Sequence, residues 1–199
     1  WGQPVALTAT LPADATGTVG FYDDVNGGCE DSATPGAACQ GLGVANIRDG
    51  QAVLSNVTVP LGVGTHYLHA SYGGDTHYVA NDSTPVTVTV SKASPQVTLS
   101  VNGTVFPVGS APVSLVAQLP SDATGSVGFY DSALPGPDKG IGLAPIVDGS
   151  ATLTGTALTV PLEVGTHPLY AWYGGDSDYQ PAGSNAVDVT VNSTDSTNG

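Results

Sequence analysis

Apolar and polar residues alternate with a period of two along most of the chain. Aliphatic side chains occupy every second position in residues 5–11 and 113–119, and valine recurs in the same way in residues 86–90 and 187–191. This alternation predicts β-strands with one buried face. No stretch shows a helical period, and 27 glycines with 15 prolines oppose helix. The pattern therefore predicts an all-β protein.

The chain also contains an internal repeat. Residues 11–23 and 119–131 are identical at eleven of thirteen positions, and later motifs recur in the same order. The offset between copies falls from 108 to about 100, because the first copy carries an insertion of about nine residues. A repeat of this length predicts two domains of one fold. The predicted limits are 1–91 for domain 1, 92–95 for a linker, 96–192 for domain 2 and 193–199 for a polar tail.

Turn signals divide each copy into about seven short strands. Asp49-Gly50 and Asp148-Gly149 are turn signals, and the paired glycines Gly73-Gly74 and Gly174-Gly175 mark later turns. Short strands with one apolar and one polar face are typical of an antiparallel β-sandwich. The sequence thus predicts two tandem sandwiches, which placed end to end would form a rod.

The repeated motifs T-G-x-V-G-F-Y-D, D-G-x-A-x-L, V-G-T-H and Y-G-G-D-x-x-Y resemble the bacterial immunoglobulin-like repeat. The resemblance extends over nearly the whole chain, twice in the same order. It implies immunoglobulin-like sandwiches that occur in tandem in secreted and surface-attached prokaryotic proteins. It also implies a non-enzymatic spacer, stalk or accessory module with an extracellular location, and it supplies no catalytic residues.

The first copy lacks a strand that the second copy has. Residues 95–108 alternate in the same way and predict the first strand of domain 2, whereas Trp1 aligns with Gly109. Two explanations remain open: Trp1 is a boundary within a longer array, or another chain supplies the strand and the protein is a filament subunit. The predicted strand-acceptor edge consists of Val5, Leu7, Ala9 and Leu11.

The charge balance narrows the range of partners. The chain has 17 acidic and 3 basic residues, for a net charge of -14. Phosphate binding needs clustered Lys and Arg, so nucleic acid is not an expected partner. No apolar run reaches the 18 residues of a membrane span. The expected partner is a protein or a neighbouring subunit, and a glycan is a further possibility.

Two cysteines lie in the insertion of the first copy. Cys29 and Cys39 are ten residues apart, which favours a disulfide formed in an oxidising compartment. A metal pair is the alternative, but no other Cys or His lies nearby to complete a site. Sequons for N-glycosylation occur at Asn56, Asn81, Asn102 and Asn192.

Calcium is the best-motivated ion, although no cofactor is expected. Acidic side chains concentrate in turns, where Ca²⁺ could find carboxylate and carbonyl oxygens. The alternative is that these carboxylates accept hydrogen bonds from turn amides. The candidates are Asp23, Asp24, Asp75, Asp131, Asp176 and Asp178.

One aromatic pair is a candidate contact surface. If Leu169, Ala171 and Tyr173 face the core, Tyr170 and Trp172 face outward. Exposed rings can stack on sugars or anchor a protein, although they can also pack on their sheet neighbours. The sequence thus favours a structural or adhesive spacer, with a strand-complemented filament subunit and a carbohydrate-binding accessory as alternatives.

Overall fold

A computed structural model describes residues 1–24, 39–57, 60–108 and 113–193. The chain forms two compact units, Trp1–Ser91 and Lys92–Gly199. The described residues are all-β apart from one 3-10 turn, Gly155–Ala157, which confirms the predicted fold class. Within them, no helix is long and apolar enough to cross a membrane.

The described residues of unit 1 form seven strands. The strands pair in the order β1-β4-β3-β2-β5, and β6 and β7 both pair with β5. Strand β3 pairs first with β2, and its last two residues pair with β4, so that one long strand joins the two halves of the unit. The strands are β1 (Leu7–Thr10), β2 (Thr18–Asp24), β3 (Cys39–Arg48), β4 (Gln51–Leu54), β5 (Gly64–Tyr72), β6 (Asn81–Asp82) and β7 (Val86–Val90).

Unit 2 repeats this arrangement and adds two strands. One sheet has the order β13-β10-β8, and the other has the order β12-β11-β14-β16-β9 with β15 paired to β14. The pairs are antiparallel except β9 with β16, which is parallel. The strands are β8 (Thr98–Val101), β9 (Val105–Pro107), β10 (Ser114–Gln118), β11 (Ser126–Asp131), β12 (Gly140–Pro145), β13 (Ser150–Thr154), β14 (Gly165–Tyr173), β15 (Ala182–Gly183) and β16 (Val187–Asn192).

The core of unit 2 lies between its two sheets. Leu115 and Leu153 come from one sheet, and Phe129, Leu169 and Val189 come from the other. All five are at most 2% exposed, and their strand neighbours face outward. Side chains of opposite sheets therefore pack face to face, as the two-residue period predicts.

The Asp-Gly pairs form turns, as the sequence predicts, and the structure shows that these turns are hairpin turns. Asp49 and Gly50 have φ angles of 49° and 73°, and Asp148 and Gly149 have 48° and 73°. Two consecutive left-handed residues give the turn whose twist matches that of the flanking strands. A Cβ at Gly149 would also lie 2.9 Å from the carbonyl oxygen of Leu119. Glycine at this position thus serves both the backbone conformation and the close approach of the neighbouring segment.

The two units differ at one edge of each sheet. In unit 2, β10 pairs with both β13 and β8, and β16 pairs with both β14 and β9. In unit 1, β1 pairs only with β4, and β7 only with β5. The described residues of unit 1 hold no counterpart of β8 or β9. Within the part of residues 1–91 that the structure describes, the first sandwich thus has no strand at this edge, as predicted.

Because the two edges differ, the same leucine-to-alanine substitution at equivalent positions is expected to lower the free energy of unfolding by different amounts. Leu115 is fully buried, so Leu115→Ala is expected to lower the free energy of unfolding of unit 2 by about 2–5 kcal/mol. Leu7 occupies the same position in unit 1 but is partly exposed, so Leu7→Ala costs less. Urea unfolding followed by NMR signals of each unit measures both. Equal losses of unfolding free energy in the two variants would contradict an open edge beside β1.

Candidate functional site

The edge of unit 2 shows how the missing segment would close a sandwich. In β8, Val101 lies opposite Leu115 and Leu99 lies opposite Ala117. The chain then crosses to the other sheet, where β9 pairs in parallel with β16. One segment, residues 98–107, therefore closes an edge of both sheets.

The side chain of Asn185 also holds β8 in place, through hydrogen bonds to its backbone. The Asn185 carboxamide accepts a hydrogen bond from the Leu99 amide at 3.0 Å and donates one to the Leu99 carbonyl at 3.2 Å. Leu99 and Val97 are 5% and 6% exposed. Burying side chains of this size contributes about 1.5–3 kcal/mol each. Strand β8 is thus an integral part of the domain.

Unit 1 has an open groove at the equivalent place. The groove has a volume of about 540 Å³ and lies between β1 and the β5–β6 region. Ala9, Leu11, Ala70 and Tyr78 contribute to its apolar lining. Val79, also in the lining, is 86% exposed. An aliphatic side chain this exposed beside an apolar groove marks a surface that an additional strand could cover.

Equivalent residues confirm that the groove is uncovered. Ala117 and Val189 of unit 2 are fully buried. Their counterparts Ala9 and Val88 are partly exposed. Val86, at the start of β7, is 62% exposed. In both sheets of unit 1, apolar side chains are thus accessible to solvent beside the unpaired edge of a strand.

One backbone hydrogen bond near β9 of unit 2 has an equivalent in unit 1. The Trp1 amino group donates to the Ser91 carbonyl at 2.7 Å, as the Val108 amide donates to the Asn192 carbonyl at 2.8 Å. Within unit 1, Trp1 thus occupies a position equivalent to that of Val108, the residue that follows β9 in unit 2.

The asparagine that holds β8 has no equivalent in unit 1. Ser184 and Ser83 each donate to the carbonyl of the next residue, and those next residues are Asn185 and Thr84. Thr84 has no carboxamide, so it cannot make both hydrogen bonds to one peptide unit of a bound strand.

The carboxylates of the two Y-G-G-D turns join separate loops. In unit 2, one Asp176 oxygen accepts from the amides of Asp178 and Tyr179, both at 2.8 Å. The other accepts from the amide and hydroxyl of Thr124 at 2.9 and 3.1 Å. Burial alone would raise the pKa of Asp176, but these four hydrogen bonds hold that pKa well below its ordinary value.

Asp75 makes the same contacts in unit 1. It accepts from the amides of His77, Tyr78 and Thr16 at 2.8–2.9 Å and from the Thr16 hydroxyl at 3.0 Å. These bonds hold the pKa of Asp75 well below its ordinary value. Four hydrogen bonds occupy each of these carboxylates, which favours the turn-forming interpretation over calcium binding.

A pair formed by a histidine and a buried aspartate also recurs. In unit 1, His66 Nδ1 lies 2.6 Å from Asp23 Oδ2, and Nε2 lies 2.8 Å from the Gly62 carbonyl oxygen. In unit 2, His167 makes the same contacts, at 2.6 Å to Asp131 and 2.7 Å to the Glu163 carbonyl.

These contacts define the protonation of the pair. A carbonyl only accepts, so Nε2 of His66 carries a proton, and a second proton lies between Nδ1 and Asp23. Burial alone would lower the pKa of His66, but its hydrogen bonds to Asp23 and Gly62 and the Asp23 charge raise it above 6.5. Below this raised pKa the two side chains form an ion pair that connects β2 to β5.

Asp24 and His69 belong to unit 1 alone, where unit 2 has Ser132 and Tyr170. Asp24 is buried, and its Oδ1 has no hydrogen-bond partner in the described part of the chain. Its Oδ2 lies 3.8 Å from His69 Nδ1. No group of three or more His, Cys, Asp or Glu among the described residues could hold a metal ion. Calcium binding therefore stays a prediction.

The outer face of unit 2 carries aromatic rings. Trp172 is 46% exposed, and a Cβ at Gly183 would lie 3.2 Å from its ring, so the indole rests on Gly183. Tyr130 and Tyr170 stack with ring centroids 5.2 Å apart. Glycan binding at this face stays a prediction.

A profile of the bacterial Ig-like domain family (group 3) matches residues 1–91 and residues 95–192. The chain belongs to this family. No curated protein matches it. The family assignment and the duplicated geometry together define two Ig-like domains.

Two solved structures are similar to the chain at low identity. One is a tetra-tandem repeat in the extending region of a large adhesion protein, with 18% identity and a TM-score of 0.49, covering 94% of this chain and 45% of that one. The other is a DUF3823 family protein from Bacteroides ovatus ATCC 8483, with 13% identity and a TM-score of 0.31, covering 94% and 99%. The chain thus spans less than half of the adhesion-protein structure.

The remaining predicted sites lie mostly on the surface of these Ig-like domains. Cys39 is the first residue of β3, but Cys29 lies outside the described residues, so the disulfide stays a prediction. The predicted polar tail, residues 193–199, lies outside the described residues from 194 onward. Glycosylation also stays a prediction. The sequon asparagines, all exposed, are Asn56, Asn81, Asn102 and Asn192.

The His66 pair predicts a pH dependence for the first Ig-like domain. The pKa of His66 is higher in the folded state than its ordinary value of 6.5. The pair of His66 with Asp23 therefore makes its full contribution to the free energy of unfolding below pH 6.5. The stabilisation is lost as the pH rises through the folded-state pKa. Urea unfolding between pH 6 and 9, followed by NMR signals of this domain, should show that loss.

A matched pair of variants assigns the effect. His66→Gln removes the titrating group and should flatten the alkaline limb, whereas His77→Gln, in an exposed turn, should leave it in place. An unchanged alkaline limb in His66→Gln would show that the ion pair is not its cause.

Proposed function

We propose that the chain is a non-enzymatic, load-bearing module of an extracellular prokaryotic protein, acting as a spacer or adhesive stalk. Membership of the bacterial Ig-like domain family supports a structural role. The titratable groups that both domains share, such as Asp75 and Asp176, are used in turn and core contacts. The acidic net charge of -14 favours solubility of a module exposed to water.

The parallel pairing of β9 with β16 carries this proposal. Strand β9 lies near the start of the second domain and β16 lies at its end. Tension on the chain pulls β9 towards its N-terminus and β16 towards its C-terminus. Because the two strands are parallel, the force acts along them and loads their hydrogen bonds together, in shear.

Specific backbone hydrogen bonds form this connection. The Thr190 amide donates to the Thr104 carbonyl, and the Val108 amide donates to the Asn192 carbonyl, both at 2.8 Å. The paired residues Thr190 and Val105, followed by Val191 and Phe106, continue the ladder. The first domain has no such ladder among its described residues, so the two domains should resist force unequally.

Single-molecule pulling from the two ends of the chain tests the proposal. We expect two unfolding events, with the second domain unfolding at the higher force. Each event should release roughly 300 Å of chain, since about 90 residues extend by 3.3–3.6 Å each. A single event, or a first domain as resistant as the second, would contradict the proposed role.

Variants at one exposed residue assign the force to the parallel ladder. Val108→Pro removes the amide that donates to Asn192, so the unfolding force of the second domain should fall. Val108→Ala keeps that amide and should leave the force unchanged. If both variants behave alike, the ladder does not bear the load.

A further inference from the structure

The geometry points to a carbohydrate-binding site on the outer face of the second domain. The site consists of Leu143, Tyr130, Tyr170 and Trp172, and we call it the aromatic face. Its ligand is a neutral oligosaccharide, whose sugar rings present apolar C–H groups on their faces and hydroxyl groups at their edges. This inference rests on the proposed adhesive stalk and names the chemistry to which that stalk attaches.

Strand pairing brings the exposed residues of the aromatic face into one row. Gly128 of β11 lies opposite Leu143 of β12 on one side and opposite Trp172 of β14 on the other. Leu143 is 68% exposed and Trp172 is 46% exposed. Neighbouring strands lie about 4.8 Å apart, so the row from Leu143 to Trp172 spans about 10 Å. Two apolar side chains thus flank a glycine at a separation that suits a short oligosaccharide.

Glycines lie beneath two of the aromatic rings. A Cβ at Gly128 would lie 2.8 Å from the Tyr130 ring and from its hydroxyl oxygen, so this ring covers Gly128. A Cβ at Gly183 would lie 3.2 Å from the Trp172 ring, so the indole rests on the backbone of β15. Tyr170 stacks on Tyr130 with ring centroids 5.2 Å apart. The rings are therefore held in place before a ligand arrives, which lowers the entropy cost of binding.

The polar groups of the aromatic face have no partner within the described part of the chain. This holds for the hydroxyls of Tyr130 and Tyr170 and for the indole N–H of Trp172. All three groups can exchange hydrogen bonds with sugar hydroxyls, while the ring faces contact C–H groups of the sugar. The aromatic face therefore matches both surfaces of a sugar ring.

The size and charge of the aromatic face favour a neutral sugar over a protein or an acidic glycan. Its four side chains together expose roughly 300 Å², given that one aromatic side chain has about 150–250 Å² to bury. A stable protein interface takes about 800 Å² from each partner, so the face is too small for one. The net charge of -14 disfavours an acidic ligand.

The first domain differs at the two positions that form the indole site. Ser71 and Asp82 occupy the places of Trp172 and Gly183, and each set pairs in the same way. Tyr22 of the first domain still covers a glycine, at the same 2.8 Å, so that contact belongs to the fold. The indole and the glycine beneath it occur together in the second domain, and the first domain has neither. The site is thus specific to the second domain.

NMR titration of the full 199-residue chain tests the site. The probes are soluble hexasaccharides of glucose, of mannose and of N-acetylglucosamine, with a galacturonic acid hexasaccharide as the acidic control. We expect at least one neutral probe to shift the indole N–H signal of Trp172 saturably and to leave that of Trp1, the other tryptophan, unchanged. The acidic control should bind at least about tenfold more weakly than that probe.

Three variants assign the binding to the aromatic face, with affinities measured by calorimetry. Trp172→Ala should weaken binding of the same probe at least about tenfold, because it removes the aromatic anchor. Gly183→Asp places the residue of the first domain beneath the indole and should weaken binding by a similar factor. Trp1→Ala removes the other indole and should bind the probe as the unsubstituted chain does.

Three results would overturn the site. One is the absence of a saturable Trp172 shift with every neutral probe at about 10 mM, where a Kd of about 1 mM would fill most sites. Another is equal affinity of Trp172→Ala and the unsubstituted chain. The third is a Trp172 shift that follows protein concentration without sugar, because a second copy would then cover the face.

The two proposals fail separately. The pulling experiment depends on the β9–β16 ladder, whereas sugar binding depends on the outer face of β11, β12 and β14. Two unequal unfolding events without sugar binding would therefore overturn the carbohydrate site alone. Sugar binding with a single unfolding event would overturn the load-bearing role alone.

Discussion

The backbone hydrogen bonds at the edges of the two sheets are the constraint on which this protein depends. Each edge strand of a sandwich carries amides and carbonyls that need a partner, and aliphatic side chains that need a cover. In the second domain, one segment meets both needs, since β8 completes one sheet and β9 completes the other. That same segment holds the Leu99 side chain in the core and brings a terminal strand into parallel pairing. Closure of the sheet edges and packing of the core therefore have one structural origin.

The internal repeat provides a comparison within one molecule. Both domains contain the Asp-Gly hairpin, the carboxylate of the Y-G-G-D turn and the pair of a histidine with a buried aspartate. These shared features therefore belong to the fold. The features that differ are the open edge, the Asp24 and His69 positions, and the Trp172 face. Positions that differ between two domains of one fold are the positions at which the domains can make different contacts.

Local pattern was sufficient to predict much of the fold. The two-residue period identified the strands, and Asp49-Gly50 identified a hairpin, because each depends on neighbours in sequence. Comparison of the two copies also predicted the missing first strand. Long-range contacts could not be predicted in this way. His66 meets Asp23 across 43 residues, and the carboxamide of Asn185 meets Leu99 across 86, because strand order and register bring them together. Trp172 was placed on the outer face, but its packing on Gly183 depends on the pairing of β14 with β15.

Residue-resolved hydrogen–deuterium exchange tests the central claim most directly, because the two domains serve as each other's control in one sample. The alternate amides of β10 that point towards β8 are expected to be protected, whereas their equivalents in β1 should exchange at rates typical of an exposed edge strand. Amides of both strands that point towards β4 or β13 should be protected alike. Equal protection of the outward-pointing amides in β1 and β10 would contradict an open edge in the first domain.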